Sequence, residues 1–289
     1  MSPAGGQDGM QKRLPPWFKI RLTVNERSAA VERLVKNGNL HTVCQSASCP
    51  NQSECWSRGT ATFMILGNIC TRRCGFCGIP AGKPSRIDAE EPVRVAAAVE
   101  SLRLQYAVIT SVTRDDLHDG GASVFAETVN AIRSRNPRCK IEVLIPDFQG
   151  SETALTTVLS VRPDVLNHNM ETVPSLYPVV RPQGDYLRSL ELLRRAKNRG
   201  AATKTGLMLG LGEGMNEIIS VMEDLRRVDC DMLTLGQYLQ PSHEHLPVQR
   251  YYTPVEFDLL RERALSLGFD AVASGPLVRS SYHAEQYSL

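Results

Sequence analysis

The chain has 289 residues, of which 42% are hydrophobic and 22% charged, a balance typical of a globular protein with one large domain or two small ones. Its formal net charge of +2 is too small to indicate a nucleic-acid surface. No run of about 18 apolar residues occurs, so no membrane span is predicted. Residues 1–11 are polar and glycine-rich without the apolar core of a signal peptide, which predicts a flexible end and a cytoplasmic protein.

Short apolar runs alternate with longer amphipathic segments from about residue 61. The runs are rich in Val, Ile, Leu or Met and bounded by Gly, Pro, Asp or Asn, which predicts strands at 61–67, 106–112, 140–148, 165–170, 203–211 and 232–239. Helices are predicted between them at 92–104, 122–135, 152–161, 187–199 and 216–228, and a seventh strand is predicted at 270–274. Because repeated strand–helix alternation is typical of parallel βα units, the predicted fold class is α/β, a partial (βα)6 TIM-like barrel.

The two ends of the chain differ from this repeating middle. A helix predicted at 25–36 is followed by an irregular, cysteine-bearing stretch at 39–57 that has too little apolar material for a domain. We interpret it as an N-terminal cluster-binding cap that a bound metal helps to order. The predicted organisation is an N-terminal extension at 1–60, the barrel at 61–275 and a C-terminal extension at 276–289.

Cysteine is the most informative residue type in the chain. Six of the eight cysteines lie between positions 44 and 77 in two tight groups, which indicates metal binding or catalysis in a protein predicted to be cytoplasmic. The other two, Cys139 and Cys230, each precede a predicted strand. That position is at the opposite end of a parallel barrel from its active site, so both are predicted to be buried structural residues.

The later cysteine group is Cys70, Cys74 and Cys77, a C-x3-C-x2-C loop directly after the first predicted strand. Three thiolates can hold three irons of a four-iron cluster and leave the fourth iron open to another ligand. Zinc is the alternative, but zinc sites more often pair C-x2-C elements with a fourth Cys or His. The spacing and the aromatic residue before the last cysteine are similar to the loop of the radical SAM superfamily, in which S-adenosylmethionine (SAM) binds the open iron.

The earlier group is Cys44, Cys49 and Cys55, a C-x4-C-x5-C pattern that also lacks a fourth ligand. Together with the cysteine loop, the Cys-Pro-Asn-x-x-Glu-Cys-Trp stretch and the Arg-Ser-Ser-Tyr-His stretch at 279–283 resemble the lipoyl synthase family, and the resemblance runs from about residue 40 to residue 284. In that family the second serine of the Arg-Ser-Ser-Tyr motif, here Ser281, completes an auxiliary cluster that donates its own sulfur. An oxygen ligand suits sulfide-bound iron less well than a thiolate does, so this iron should be the easiest to lose.

The resemblance implies a radical SAM sulfurtransferase with two 4Fe–4S clusters and SAM as cofactors. The implied reaction inserts two sulfur atoms at carbons six and eight of a protein-bound octanoyl-lysine. The implied partners are an octanoylated lipoyl carrier domain or H protein and an electron donor such as ferredoxin or flavodoxin. Two alternatives stay open, another radical SAM sulfur-transfer enzyme and a non-catalytic two-cluster electron carrier.

Several residues at predicted strand ends are candidates for binding SAM. Asp115 follows the second strand, where the superfamily often binds the methionine amino group; a helix-capping acid is the alternative. Asn169 and Glu171 end the fourth strand and are predicted to contact ribose or methionine, although Glu171 would also suit a helix N-terminus. Arg181 lies in a proline-flanked loop beyond that strand and is predicted to hold the nucleoside or the substrate peptide.

The end of the fifth predicted strand supplies two more candidates. Gly210 and Glu213 belong to a glycine-spaced stretch that resembles the adenine-contacting motif of the superfamily, where glycine lets the backbone come close. Tyr282 and His283 are predicted to position Ser281 as its immediate neighbours. His245 belongs to a histidine pair two residues apart and is predicted to serve a substrate loop or to face solvent.

Overall fold

The computed structural model describes residues 14–19 and 23–286, so the stretch predicted to be a flexible end lies outside the described residues. Eight strands form one sheet in which spatial order follows chain order. They are β1 (His41–Thr42), β2 (Thr62–Ile65), β3 (Tyr106–Ser111), β4 (Lys140–Leu144), β5 (Val165–Asn167), β6 (Thr203–Leu209), β7 (Met232–Gln237) and β8 (Ala271–Gly275). β1 runs antiparallel to β2, and every later pair is parallel. The predicted α/β partial barrel is confirmed.

Ten α-helices accompany the sheet within the described residues. They are α1 (Glu26–Asn37), α2 (Val43–Ser46), α3 (Gln52–Ser57), α4 (Glu91–Ser101), α5 (Ala122–Arg135), α6 (Glu152–Ser160), α7 (Tyr177–Val180), α8 (Tyr186–Asn198), α9 (Met215–Arg227) and α10 (Pro254–Ser266). The five helices predicted between strands are all present. In this part of the chain no helix has both the length and the apolar character that crossing a membrane requires.

Helix α10 was not predicted from the sequence. Phe257, Leu260 and Ala264 of this helix are buried, but Val255 and Leu259 are more than half exposed. Because apolar side chains are spread around the helix instead of forming one stripe, the periodic signal for an amphipathic helix is weak.

The N-terminal segment packs directly on the barrel. Val31 and Val35 of α1 and Trp56 of α3 belong to the same hydrophobic cluster as Phe63 of β2. The stretch between α2 and α3, which carries Cys49, is thereby held against the start of the sheet. Apolar burial, and not only metal binding, therefore fixes the position of this segment.

A buried ion pair lies among the middle strands of the sheet. Lys204 Nζ lies 3.1 Å and 3.0 Å from the two carboxylate oxygens of Glu142, and the two side chains are 2% and 0% exposed. Tyr106 Oη and Asn167 Nδ2 each donate a hydrogen bond of 2.7 Å to the same carboxylate. Four neighbouring strands, β3 to β6, thus satisfy one buried charge together, which removes much of the cost of burying it.

Candidate active site

A cavity of about 430 Å³ lies at the carboxyl ends of the parallel strands. Five of the six grouped cysteines line it, together with Ser281: Cys44, Cys49, Cys70, Cys74 and Cys77. Cys44, Cys49 and Ser281 also line a smaller, outer cavity, where Cys55 joins them. The fold therefore brings the two cysteine groups, 15 or more residues apart in sequence, to one shared space.

The loop that carries the later cysteine group is held by backbone contacts. Cys70 Sγ accepts hydrogen bonds from the backbone N–H groups of Arg72 and Thr113, at 3.4 Å and 3.3 Å. Burial raises the pKa of the Cys77 thiol to about 12, and the negative charges of Cys74 and Cys70 act in the same direction. The three thiols are therefore close enough to repel one another as thiolates.

The earlier group shows the same electrostatic signature. Burial raises the pKa of the Cys55 thiol to about 12, and the charges of Cys44 and Cys49 raise it further. All eight cysteines are free thiols. Thiolates in such surroundings are stable only beside positive charge, and bound metal supplies that charge.

Arg279 adds an independent sign that the earlier group holds an anion. Its guanidinium lines both cavities. Burial lowers its pKa, and the Cys49 thiolate acts in the opposite direction. Its guanidinium donates to the Val278 carbonyl at 2.7 Å, and no carboxylate of the described residues pairs with it. A partly buried cation that pairs with no carboxylate of the described residues fits a site whose occupant is negatively charged.

The donor sets also fit clusters better than single ions. Across residues 14–19 and 23–286, no three His, Cys, Asp or Glu side chains converge as the ligands of one metal ion would. A four-iron cluster is larger than one ion and is bound by thiolates spaced around its corners. The two groups of free, mutually repelling thiols therefore suit iron–sulfur clusters.

The C-terminal segment that carries Ser281 is tied to the N-terminal segment. Asn51 Nδ2 donates to the Leu277 carbonyl at 2.7 Å. Glu54 of α3 accepts hydrogen bonds from Tyr282 Oη at 3.1 Å and contacts His283 Nε2 at 3.2 Å. Tyr282 and His283 thus hold the segment against α3, directly after the position of the serine.

Two strand glycines make room for the same segment. A Cβ atom on Gly236 would lie 2.1 Å from the Val278 carbonyl oxygen, and one on Gly206 would lie 3.0 Å from Ser280 Oγ. Since the first contact is with backbone, no side-chain rotation relieves it. β7 therefore needs a glycine at this position for the segment to reach the cavity.

Replacing Gly236 with Ala is expected to push the segment away from the cavity and to lower the rate of the sulfur insertion that the resemblance implies by about a hundredfold, the effect of misplacing a reacting group by roughly an ångström. Cleavage of SAM, which is predicted to depend on the other cysteine loop, should change much less. Separate assays of deoxyadenosine and of the sulfur-bearing product measure the two effects. A matched control is Gly200→Ala, because a Cβ there meets nothing within 4 Å, although its φ of +80° adds local strain. Equal losses in the two variants would show that the contact with Val278 is unimportant.

Three candidates for SAM binding lie together at the cavity. Asn169, Glu171 and Arg181 all line it. Glu171 adopts a left-handed backbone conformation, with φ of 68°, held by a hydrogen bond from its N–H to the Gly206 carbonyl at 2.9 Å. Asn169 Nδ2 donates a hydrogen bond of 3.2 Å to the Glu171 carboxylate. Such strain is characteristic of functional positions. The next helical turn begins at Pro174 with Val173 as its N-cap, so Glu171 is not a helix N-terminal acid.

Asp115, a predicted SAM contact, does not line the cavity. Both of its carboxylate oxygens accept hydrogen bonds from the Arg72 guanidinium, at 2.6 Å and 2.9 Å. Arg72 also donates to the fully buried Asp147 at 2.6 Å. The capping alternative for Asp115 is wrong, because Asp119 is the acid that accepts the N–H groups of Gly121 and Ser123 before and within α5. Asp115 instead anchors the cysteine loop.

Gly210 and Glu213 are likewise not brought to the cavity. The Glu213 carboxylate accepts the backbone N–H groups of Gly210 and Leu211 and so closes the turn after β6. A Cβ on Gly210 would lie 2.4 Å from the Arg250 carbonyl oxygen, which shows that the glycine admits a neighbouring loop. The backbone at Gly210 is therefore closely approached, as predicted, but the approaching group is the Arg250 backbone.

Contacts of other predicted residues complete the site. His245 Nε2 lies 3.0 Å from the Cys77 carbonyl oxygen, so this histidine contacts the cysteine loop and does not merely face solvent. Cys139 and Cys230 are buried immediately before β4 and β7, as predicted. The supporting roles of three further residues were not predicted from the sequence, although charges within buried loops were a usable signal for them: Arg72, Asp147 and Arg279.

Comparisons with known proteins identify the family. The model of the radical SAM superfamily matches residues 64–225. The lipoyl synthase of Koribacter versatilis is 54% identical over 274 residues, which cover 94% of this chain and 90% of that protein. The lipoyl synthase of Caldanaerobacter subterraneus is 55% identical over 278 residues, which cover 96% and 97%.

Solved structures agree at the level of the fold. Methylornithine synthase matches with a TM-score of 0.53 and 15% identity over 91% of this chain and 82% of its own. A point mutant of spore photoproduct lyase matches with a TM-score of 0.53 and 12% identity over 88% and 87%. Lipoyl synthases use SAM and two 4Fe–4S clusters to insert sulfur into an octanoylated carrier. With this identity across nearly its whole length and two thiol groups suited to clusters, the chain belongs to the lipoyl synthase family of the radical SAM superfamily.

Proposed function

We propose that the two cysteine groups divide the work of the radical SAM sulfurtransferase between them. Cys70, Cys74 and Cys77 hold the cluster that binds and cleaves SAM. The sulfur-donating cluster is held by the other set: Cys44, Cys49, Cys55 and Ser281. The observation that carries this proposal is the shared cavity, because five of these cysteines and the serine line one space into which an acyl chain can extend.

The bound groups supply a carbon-centred radical and sulfur, and the chain supplies position and shielding. Apolar side chains line the cavity together with the cysteine groups, among them Met64, Val112, Leu144 and Phe76. We propose that the octanoyl chain lies along these residues, since burying its methylene groups against apolar side chains is favourable. Carbons six and eight would then lie between the two clusters.

Asn169, Glu171 and Arg181 are our proposal for the residues that contact SAM. Burial raises the pKa of Glu171, and the charge of Arg181 acts in the opposite direction. Arg181 Nη1 donates to the Asn169 carbonyl at 2.9 Å, so the three residues form one connected group at the cavity wall. A carboxylate, an amide and a guanidinium suit the hydroxyl, amino and carboxylate groups of SAM. The other three candidates would support this site without touching the cofactor: Asp115, Gly210 and Glu213.

We also propose a three-part organisation: an extension at 1–60 that carries the auxiliary cysteines, a barrel at 61–275, and a terminal segment at 276–289 that supplies the serine. The hydrogen bond from Asn51 to the Leu277 carbonyl supports a single site built from the N-terminal extension and the terminal segment. The free thiols favour a cytoplasmic location. Exposed Arg73, adjacent to Cys74, offers a charge for an acidic electron donor such as ferredoxin or flavodoxin, and the acyl carrier would be a lipoyl domain or H protein.

Two group variants test the division of work. Replacing all three cysteines of the later group with Ala should halve the iron content and abolish SAM cleavage. Replacing the earlier group should also halve the iron content, but SAM cleavage should continue without sulfur insertion. Iron analysis and product assays on both proteins measure this. Full iron content in either folded variant would contradict the assignment of that group.

A further inference from the structure

Thr62 joins two of the proposed ligands of the sulfur-donating cluster, which come from opposite ends of the chain. Its hydroxyl donates a hydrogen bond of 2.8 Å to Ser281 Oγ, across 219 positions of sequence. A hydrogen bond also links the Cys44 thiol to the Thr62 backbone. Thr62 is 7% exposed and lines both the large and the outer cavity.

The strand fixes Thr62 far more firmly than the terminal segment fixes Ser281. Thr62 begins β2 and lies opposite Val108 in the parallel ladder with β3. Ser281 lies in a turn, beyond the last strand, where the chain has no ladder of its own. A hydroxyl on a rigid strand can therefore set the position of an oxygen on a segment without regular structure.

We propose that Thr62 is a positioning residue for Ser281, and that its hydroxyl keeps the serine oxygen directed at the thiols of Cys44, Cys49 and Cys55. This inference rests on the proposed role of Ser281 as a ligand. An oxygen bound to iron retains lone pairs, so Thr62 can donate to it in the bound state as well. When the iron is released, the same hydrogen bond keeps the serine in place for the next cluster.

The hydrogen bond between Thr62 and Ser281 differs from the other hydrogen bonds of the terminal segment in that it reaches the proposed ligand atom itself. Tyr282 and His283 contact Glu54 and locate the chain. Among the described residues, Thr62 is the one whose side chain hydrogen-bonds to the Ser281 hydroxyl itself. Loss of the Thr62 hydroxyl should therefore loosen the ligand and leave the fold intact.

The test measures how fast a ferrous chelator removes the first iron from the holoenzyme. Thr62→Val keeps the shape of the side chain and removes the donor, and it should accelerate this loss by about tenfold, the effect of one hydrogen bond to a charged group. Thr62→Ser restores the hydroxyl and should return the rate to that of the native chain. Thr128→Val removes another buried hydroxyl, one that donates to the Val124 carbonyl within α5, and is the matched control.

Ser281→Ala in the same assay separates the two levels of the proposal. It should also lose its first iron rapidly, and adding Thr62→Val to it should produce no further acceleration, because both changes remove the same contact. Rapid loss in Ser281→Ala with native-like loss in Thr62→Val would overturn the role of Thr62 alone. Native-like loss in Ser281→Ala would overturn the serine ligand and the inference together. If Thr62→Val does not fold, Thr62→Ala provides the same comparison.

Discussion

Replacing Ser281 with Ala is expected to leave SAM cleavage intact and to abolish formation of the doubly sulfurated product. The alanine removes the fourth proposed ligand of the sulfur-donating cluster and leaves Cys70, Cys74 and Cys77 untouched. Deoxyadenosine formation reports the first activity, and mass spectrometry of an octanoyl-lysyl peptide reports the second. Normal lipoyl product from this variant would rule out Ser281 as an essential ligand.

Ser280→Ala is the matched control for this variant. Its hydroxyl is adjacent in sequence and donates to Asn169 Oδ1 at 3.0 Å, so it faces the wall of the cavity and not the earlier cysteine group. Because Asn169 is a proposed SAM contact, we expect Ser280→Ala to affect SAM cleavage at most and to keep its full iron content, whereas Ser281→Ala loses iron from the sulfur-donating cluster. A difference between the two serines would therefore reflect ligand chemistry and not a general disturbance of the terminal segment.

Replacing Lys204 with Met is expected to lower the free energy of unfolding by about 3–5 kcal/mol. The change removes the only cation that contacts the buried Glu142 carboxylate among the described residues and leaves that carboxylate uncompensated. Methionine fills most of the lysine volume, so a cavity contributes little. Denaturant unfolding of the native and variant proteins, with their cluster content matched, measures the difference.

Adding Glu142→Gln to Lys204→Met should recover part of the lost stability, because Glu142→Gln removes the unpaired charge. Tyr106 Oη and Asn167 Nδ2 donate to different oxygens of the native carboxylate. In the double variant Asn167 Nδ2 can donate to the amide oxygen, and Tyr106 Oη can accept from the amide NH2 group. A double variant as unstable as the sum of its single changes would show that the ion pair is not the unit that matters.

The parallel strands were predictable because their residues are buried on both faces and read as continuous apolar runs. The last residue of each strand was not predictable. The predicted strand at 165–170 is longer than β5, which ends at Asn167, because the loop after β5 contains another buried apolar residue, Met170. The pairing of Glu142 with Lys204 was predictable in principle, because opposite charges inside two apolar strands of one sheet, β4 and β6, favour a buried ion pair.

The parts of the site that are contiguous in sequence were the easiest to predict. The spacing of Cys70, Cys74 and Cys77 was enough to predict a cluster-binding loop, whereas Ser281 was predicted only from the family resemblance. The bond between Thr62 and Ser281 joins positions that only the tertiary fold brings together. The contact between Asp115 and Arg72 was not predictable for a similar reason, since Arg72 lies 43 positions away and donates to both carboxylate oxygens.

The most direct test of sulfur insertion by this chain is anaerobic incubation of the reconstituted protein with SAM, a reductant and an octanoyl-lysyl peptide, followed by mass spectrometry. We predict deoxyadenosine and a peptide that has gained two sulfur atoms. Labelling the clusters with heavy sulfide before the reaction should place the label in the peptide, since the protein's own cluster is the sulfur source. Deoxyadenosine with an unchanged peptide, or a product without label, would contradict the proposed mechanism.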